Sequence, residues 1–251
     1  MQSDRRINGV LVVPCFNEEH RLKKEYFYSL ISELQKFDFE LFFVNDGSKD
    51  STAQILDDFT AHGSTVLHLK KNVGKAEALR QGFIATQKNH PECGIYGYLD
   101  ADAAFRISDV LCLVNAIIQS YSDKRVLMLS GARVSLAGSD IRRSKFRHLI
   151  GRVIVTYLNL SGFNRMYDPQ SGLKLIRVES PHQLSMEENF KTRWFVDLEI
   201  LERLKTFSVE VIEVPVKSWT EVGGSKLKPI HVLNVLHEIL IIKRLNKRKS
   251  V

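Results

Sequence analysis

The strongest constraint on this chain is the alternation in its first hundred residues. Short β-branched or aromatic runs at 10–14, 40–44, 65–69 and 95–99 are separated by helical patterns at 21–37, 52–62 and 75–89. Such runs read as buried strands, and the second helix is started by a capping residue, Asp50 or Ser51. Strand–helix alternation predicts an α/β fold with a mostly parallel central sheet flanked by helices. At 251 residues and 44% hydrophobic content the chain can bury a sizeable core without disulfide or metal staples.

In sheets of this kind ligands sit at the carboxyl ends of the strands. Three of those ends carry polar residues: Asn17-Glu18, Asn45-Asp46-Gly47-Ser48, and Asp100-Ala101-Asp102. Carboxylates two apart at a strand end can both face the crevice and offer hard oxygen ligands to Mg²⁺ or Mn²⁺ shared with substrate phosphates. Each motif also has a plainer reading. Asp after a strand makes Asx turns, Asp-Gly-Ser is ordinary turn chemistry, and Glu18 can serve as a first-turn helix charge. Their combination on successive strand ends favours a site.

The second half is less regular. Residues 108–121 read as a helix, 126–132 as a strand ending at Arg133, and 173–176, 194–204 and 209–214 as strand, helix and strand. Residues 219–229 read as a loop. The segment 140–162 starts basic (Arg142, Arg143, Lys145, Arg147) and continues with Leu149, Ile150, Val153, Ile154, Tyr157 and Leu158 at helical spacing. An amphipathic core helix and a helix lying on a membrane surface fit it equally. Residues 230–251 read as a basic amphipathic helix with the same two readings.

Composition excludes several classes. Cys15, Cys93 and Cys112 are scattered without zinc spacing, and we read them as reduced core thiols of a cytoplasmic protein. No apolar run suits a signal peptide or a membrane span, which needs roughly 20 residues. The formal charge of +7 favours anionic partners. Without a zinc-finger spacing or an RNP-like motif it does not point to nucleic acid. Nucleotidyl transfer, which also uses such sheets, wants a Gly-rich basic loop after the first strand, where PCFNEEH supplies carboxylates.

VVPCFNEE (12–19), FVNDGSKDST (43–52), NVGKAEALRQGF (72–83) and YLDADAA (98–104) resemble the nucleotide-binding half of family-2 glycosyltransferases of the GT-A fold. The resemblance implies a GT-A domain over 1–229, with a nucleotide-binding half (1–104) and an acceptor half (105–229). It implies a nucleotide-diphospho-sugar donor lined by Pro14, Phe16 and Glu18, with Val44 and Ala101 beside them. Asp46 is expected at the base or ribose, Lys75 near the same pocket, Asp100 at the sugar nucleotide, and Asp102 on the metal. Asn45 stands where many members have an aspartate. Ala104 stands where the mannosyl-transferring branch often has a metal-contacting Gln.

DPQSGLKLIR (168–177), RWFVDLEIL (193–201) and VEVIEVPVKSWTEVGGSKLKP (209–229) resemble the dolichyl-phosphate glucosyltransferase branch and its bacterial polyprenyl-phosphate relatives. That implies a lipid phosphate acceptor met by Arg133, Arg193 and Lys226, although any one of these can equally be a solvated surface cation. It also implies inversion, with Asp100, Asp168 and Arg133 as catalytic residues and Asp168 as base or acceptor orienter. Asp197 is a weaker candidate. Many members of the branch continue into membrane spans whereas this chain stops, so the expectation is a cytoplasmic enzyme, either peripheral on the inner face of a membrane or reliant on a partner; a homo-oligomer stays open. The rival expectation is transfer to a saccharide hydroxyl in cell-surface polysaccharide synthesis.

Overall fold

The computed structural model describes residues 8–120, 127–160, 166–178, 184, 186–192, 195–204, 209–222, 238 and 241. The elements run β1 (Gly9–Cys15), α1 (Lys24–Gln35), β2 (Phe39–Asn45), α2 (Thr52–Thr60), β3 (Thr65–His68), α3 (Lys75–Asn89), β4 (Ile95–Leu99) and α4 (Ile107–Gln119). They continue with β5 (Leu127–Ala132), β6 (Asp140–Arg142), α5 (Lys145–Leu160), β7 (Leu173–Arg177), α6 (Val196–Leu204), β8 (Glu210–Pro215) and β9 (Ser218–Thr220).

Seven strands form one sheet in the order β3-β2-β1-β4-β7-β5-β8. Only β7 runs against the rest, pairing antiparallel with β4 and with β5, while the other neighbours are parallel. The mostly parallel sheet is therefore as expected, and strands from both halves of the chain share it. Because β7 is reversed, the residues that precede it lie at the edge where β1, β2, β4 and β5 end. The Asp100 N–H donates to the Gly172 carbonyl at 2.9 Å across that edge.

The period of two along each strand divides the core between the two faces. Val10 and Val12 point into a cluster with Ala78, Leu79 and Phe83 of α3 and Leu198 and Leu201 of α6. Leu11 and Val13 point the other way, against Phe27 and Leu30 of α1, Phe59 of α2 and Val114 of α4. Burying β1, β2 and β4 on both faces is what makes their sequences nearly continuous apolar runs.

Four expectations need correction. The segment 140–162 is not one helix: Asp140–Arg142 is a strand that pairs in parallel with Ser218–Thr220, residues expected in part to be loop. The pairing is held by the Asp109 carboxylate, which accepts the Lys217 and Ser218 N–H groups at 3.0 and 3.2 Å. α5 buries Val155 and Leu158 but exposes Val153 and Tyr157, so apolar residues lie on both of its faces. The first helix starts at Lys24 rather than 21, because residues 18–22 form a turn closed on the Glu18 carbonyl. Cys15 and Cys93 are buried, but Cys112 sits on the exposed side of α4 and is not a core thiol. The expected C-terminal helix, 230–251, lies outside the described residues apart from 238 and 241.

Candidate active site

The loops that leave β1 and β2 are laced together side chain to backbone. The Asn17 N–H donates to Ser48 Oγ (3.0 Å) and the Lys49 N–H to Asn17 Oδ1 (2.9 Å). The Glu18 N–H donates to Thr52 Oγ1 (2.8 Å), and the Ser51 N–H to Glu19 Oε2 (3.0 Å). Ser51 holds the N-cap position of α2 without a side-chain capping bond, and the Asp50 carboxylate before it accepts the Thr52 N–H at 3.0 Å. These are the polar residues of the NEE and NDGSKDST motifs, and their first task is to hold two strand-end loops in one shape. Asn45 has its own reason to be an amide: Oδ1 accepts the Ser48 N–H at 3.0 Å while Nδ2 meets the His68 ring at 3.0 Å. An aspartate there could not donate.

Asp46, expected at the base or ribose of a nucleotide, carries a carboxylate 2% exposed that grips the segment that opens α3. It accepts the Val73 N–H (2.7 Å), the Gly74 N–H (2.9 Å) and Asn72 Nδ2 (2.8 Å). Gly47 makes this approach possible: its φ is +64°, and a Cβ would lie 2.5 Å from the Lys71 backbone. Asp46 thereby sets the start of α3, and with it Lys75.

Lys75 Nζ lies 2.6 Å from Asp100 Oδ1, both side chains about two-fifths exposed at 40% and 38%. Desolvation alone would lower its pKa, but Asp100, Asp197 and Asp102 outweigh that and hold the ammonium above its usual value. Asp102 is the more enclosed of the two motif carboxylates. Burial first, then the Asp100 charge, raises its pKa, against the opposing pull of Arg21, the Ala104 N–H and Lys75. Gly172 is required beside them, since a Cβ there would stand 2.0 Å from Asp100 Oδ2.

Arg21 escaped the sequence reading. Its Nη2 donates to Asp102 Oδ2 at 3.1 Å and its Nη1 to Glu18 Oε1 at 3.3 Å, so it bridges two strand ends. A basic residue three after Glu18 was the available signal, yet nothing local joins it to Asp102, 81 positions away.

On the far side of the edge, Arg133 and Asp168 form a two-pronged pair. Arg133 Nε donates to Asp168 Oδ2 and Nη2 to Oδ1, each at 2.7 Å, and the Arg133 N–H adds a third bond at 3.0 Å. Burial would raise the Asp168 pKa, but the guanidinium overrides it and the carboxyl stays below its ordinary value of 3.8. Asp168 is thus an ionised counter-ion of Arg133. Trp219 lies under the Arg133 guanidinium at 4.9 Å and under that of Arg143 at 6.0 Å. A small groove opens beside the pair between α5 and the 167–170 loop, lined by Arg143, Gly151, Arg152, Val155, Tyr167 and Asp168 among others.

Beneath the Lys75–Asp100 pair is a second buried pair. Lys174, fully enclosed, donates to Asp197 Oδ1 (2.8 Å) and to the Ser171 carbonyl (2.6 Å), and the Tyr98 hydroxyl also donates to Asp197. Burial pushes Lys174 down and Asp197 up, each toward its neutral form. A lysine in the middle of the apolar strand LKLIR was the sequence signal for this pair.

Of the remaining candidates, Pro14 and Phe16 are half-buried at the end of β1, and Ala101 is buried next to Asp100. Val44 is fully buried and packs in the α3-side core, so its side chain belongs to the core and not to a donor site. Arg193 and Lys226 lie outside the described residues.

Among the described residues no three His, Cys, Asp or Glu side chains converge as a metal cage. Asp100 and Asp102 present hard oxygens only. That donor set fits Mg²⁺ or Mn²⁺ completed by water and substrate phosphates, and does not fit a structural zinc site.

A mostly parallel sheet with a carboxylate pair at the carboxyl ends of its strands, and cations on either side, puts the candidate site where open α/β sheets take their ligands. The chain belongs to glycosyl transferase family 2, whose model matches residues 10–180. It is 31% identical to a human dolichyl-phosphate β-glucosyltransferase over 87% of this chain and 69% of that one. It is 29% identical to a Trichomonas vaginalis enzyme of the same name, over 92% of this chain and 72% of that one. Among solved structures, glucosyl-3-phosphoglycerate synthase from Mycobacterium tuberculosis, in complex with Mn²⁺, UDP and glucosyl-3-phosphoglycerate, superimposes with a TM-score of 0.62 at 19% identity. That match covers 94% of this chain and 77% of that one. A mannosyltransferase from Pyrobaculum calidifontis matches at 0.54 and 17% identity, over 92% of this chain and 61% of that one. These structural likenesses bear out the GT-A fold. No helix among the described residues is long and apolar enough to cross a membrane.

Proposed function

We propose that this chain is an inverting hexosyltransferase that moves glucose from UDP-glucose to a polyprenyl or dolichyl phosphate with the help of Mg²⁺ or Mn²⁺. The observation that carries the acceptor class is the lock between Arg133 and Asp168. Asp168 was the best candidate for a general base, and its proton affinity is held low by a two-pronged guanidinium. A sugar hydroxyl acceptor needs a base to take its proton. A phosphate monoester, with a second pKa near ~6, is already ionised at neutral pH and needs none. The names of the related enzymes support the same acceptor.

In this reading the acceptor phosphate oxygen attacks the anomeric carbon as the bond to the diphosphate breaks, and the nucleoside diphosphate leaves with the electron pair. Asp102, with Asp100 beside it, would hold the divalent cation, which supplies charge neutralisation on the departing diphosphate. Lys75 orients Asp100, and Asp46 keeps the 72–74 segment where the donor's uridine is to lie. Pro14, Phe16 and Glu18 line the same end. Arg133, fixed by Asp168 and Trp219, faces the acceptor side, where Arg143 and Arg152 line the neighbouring groove. Exposed Val153 and Tyr157 on α5 support peripheral contact with the inner face of a membrane, close to where a prenyl chain would emerge.

Calorimetric titration with UDP-, GDP- and dTDP-glucose in the presence of Mn²⁺ tests the donor. We expect UDP-glucose to bind at least tenfold tighter than the others. Equal binding of all three, or preference for GDP-sugars, would remove the uridine donor from the proposal.

A further inference from the structure

Both aspartates of the strand-end motif already carry a cation: Lys75 on Asp100 and Arg21 on Asp102. The Asp102 carboxylate is engaged at each oxygen, Oδ1 by the Ala104 N–H at 3.2 Å and Oδ2 by Arg21 Nη2 at 3.1 Å. A carboxylate oxygen has room for a second partner, but a divalent cation arriving at Asp102 meets a guanidinium charge at contact distance. Counting Glu18, Asp100 and Asp102 against Arg21 and Lys75, the cluster holds three negative and two positive charges. A divalent ion alone turns this balance positive. A nucleoside diphosphate entering with the ion turns it back.

Arg21 has a second anchor besides Asp102. Its backbone is fixed in the 18–22 turn, where its N–H donates to the Glu18 carbonyl at 2.8 Å, and Glu18 is itself tied to Thr52. The side chain is a quarter exposed and reaches the site through a flexible stem. On leaving Asp102 it keeps the Glu18 carboxylate, 3.2 Å from Nη1, so its charge is not stranded. A diphosphate oxygen offers it a second partner that no bare metal ion supplies.

We propose that Arg21 is a resident counter-ion of the metal carboxylate, occupying Asp102 until a diphosphate takes over the guanidinium, so that divalent cation and nucleotide bind synergistically. This rests on the reading of the site as a nucleotide-diphosphate and metal site. Arg21 is a positioning residue here, acting on the metal through Asp102, and by linkage the enhancement is the same in both directions.

The test is Mn²⁺ binding, followed by the electron paramagnetic resonance signal of the free ion, with and without UDP. It is run on the wild-type chain and on Arg21→Gln and Arg21→Met, with circular dichroism melts to establish folding. Two charge-removing variants of different polarity guard against one failing to fold. For wild type we expect weak binding of Mn²⁺ alone and at least tenfold tightening by UDP. In the variants we expect Mn²⁺ alone to bind about tenfold tighter, as removal of one adjacent charge implies, with the UDP-induced gain reduced to match. Variants with wild-type affinity for Mn²⁺ alone and an unchanged UDP gain would overturn the proposal. So would a wild-type chain that binds UDP and Mn²⁺ independently. A wild-type chain that binds no UDP at all would overturn the nucleotide reading, and this proposal with it.

Discussion

Replacing Gly172 by alanine separates the geometry of Asp100 from the stability of the fold. Gly172 has no left-handed φ, so its backbone tolerates alanine, and its carbonyl still accepts the Asp100 N–H at 2.9 Å. The new Cβ would fall 2.0 Å from Asp100 Oδ2 and 2.3 Å from its Cγ, distances no packing permits. Asp100 must swing away, and because its side chain is 38% exposed it has somewhere to go. The lost contact with Lys75 is a partly exposed ion pair, worth roughly 0.2–1 kcal/mol. Adding the residual crowding, about 1–3 kcal/mol at most, keeps the fold. A displacement of about 1 Å at a group meant to approach the donor costs on the order of a hundredfold in rate. We therefore expect Gly172→Ala to melt no more than about 16 °C below wild type while its sugar-transfer kcat/KM falls by two orders of magnitude or more. The two readings come from a thermal melt and an initial-rate assay on the same preparation. A variant that keeps its activity within threefold would refute the claim that Asp100 is held in a reacting position.

Other perturbations address other parts of the site. Asp168→Ala leaves Arg133 enclosed without its carboxylate and should cost about 3–5 kcal/mol in chemical denaturation; a loss below 1 kcal/mol would mean the pair is not structural. Because the folded-state pKa of Asp168 lies below its unfolded value of 3.8, its contribution to stability is complete above about pH 4 and is lost as pH falls through the depressed value. Denaturant midpoints measured between pH 6 and pH 2 should therefore fall less steeply for Asp168→Asn than for wild type, and parallel curves would contradict the shift. Asp46→Ala frees three donors of the 72–74 segment and should cost about 1–3 kcal/mol. It should also weaken UDP binding by calorimetry at least tenfold; unaltered binding would show that Asp46 does not position that loop for the nucleotide.

The first hundred residues were legible because their signals are local. Strand runs, helix periodicity and polar strand ends all lie within a few residues of one another, and the predicted strands fall within two residues of those observed. The carboxylates of the site could be named for the same reason. Arg21 could not, since its meaning depends on Asp102 across the sheet edge, and Gly172 acquires its role only where β7 runs back beside β4. The strand at 140–142 was hidden because Asp-Ile-Arg runs straight into the basic start of an amphipathic stretch and looks like the start of a helix. Its partner strand lies 78 positions on. Trp219 was read as loop for the same reason, although it packs beneath two arginines. Asp46 shows the limit in another way: its motif was visible in the sequence, but its hold on the 72–74 segment was not.

Transfer itself decides whether this family-2 chain acts on a lipid phosphate. Purified protein would be incubated with radiolabelled UDP-glucose, Mn²⁺ and a short polyprenyl phosphate, and the product followed into the organic phase, with Asp102→Asn as the control. We expect a glucose-labelled lipid phosphate from wild type and at least a hundredfold less from the variant. Label that stays out of the lipid fraction while appearing on an added saccharide would contradict the assignment.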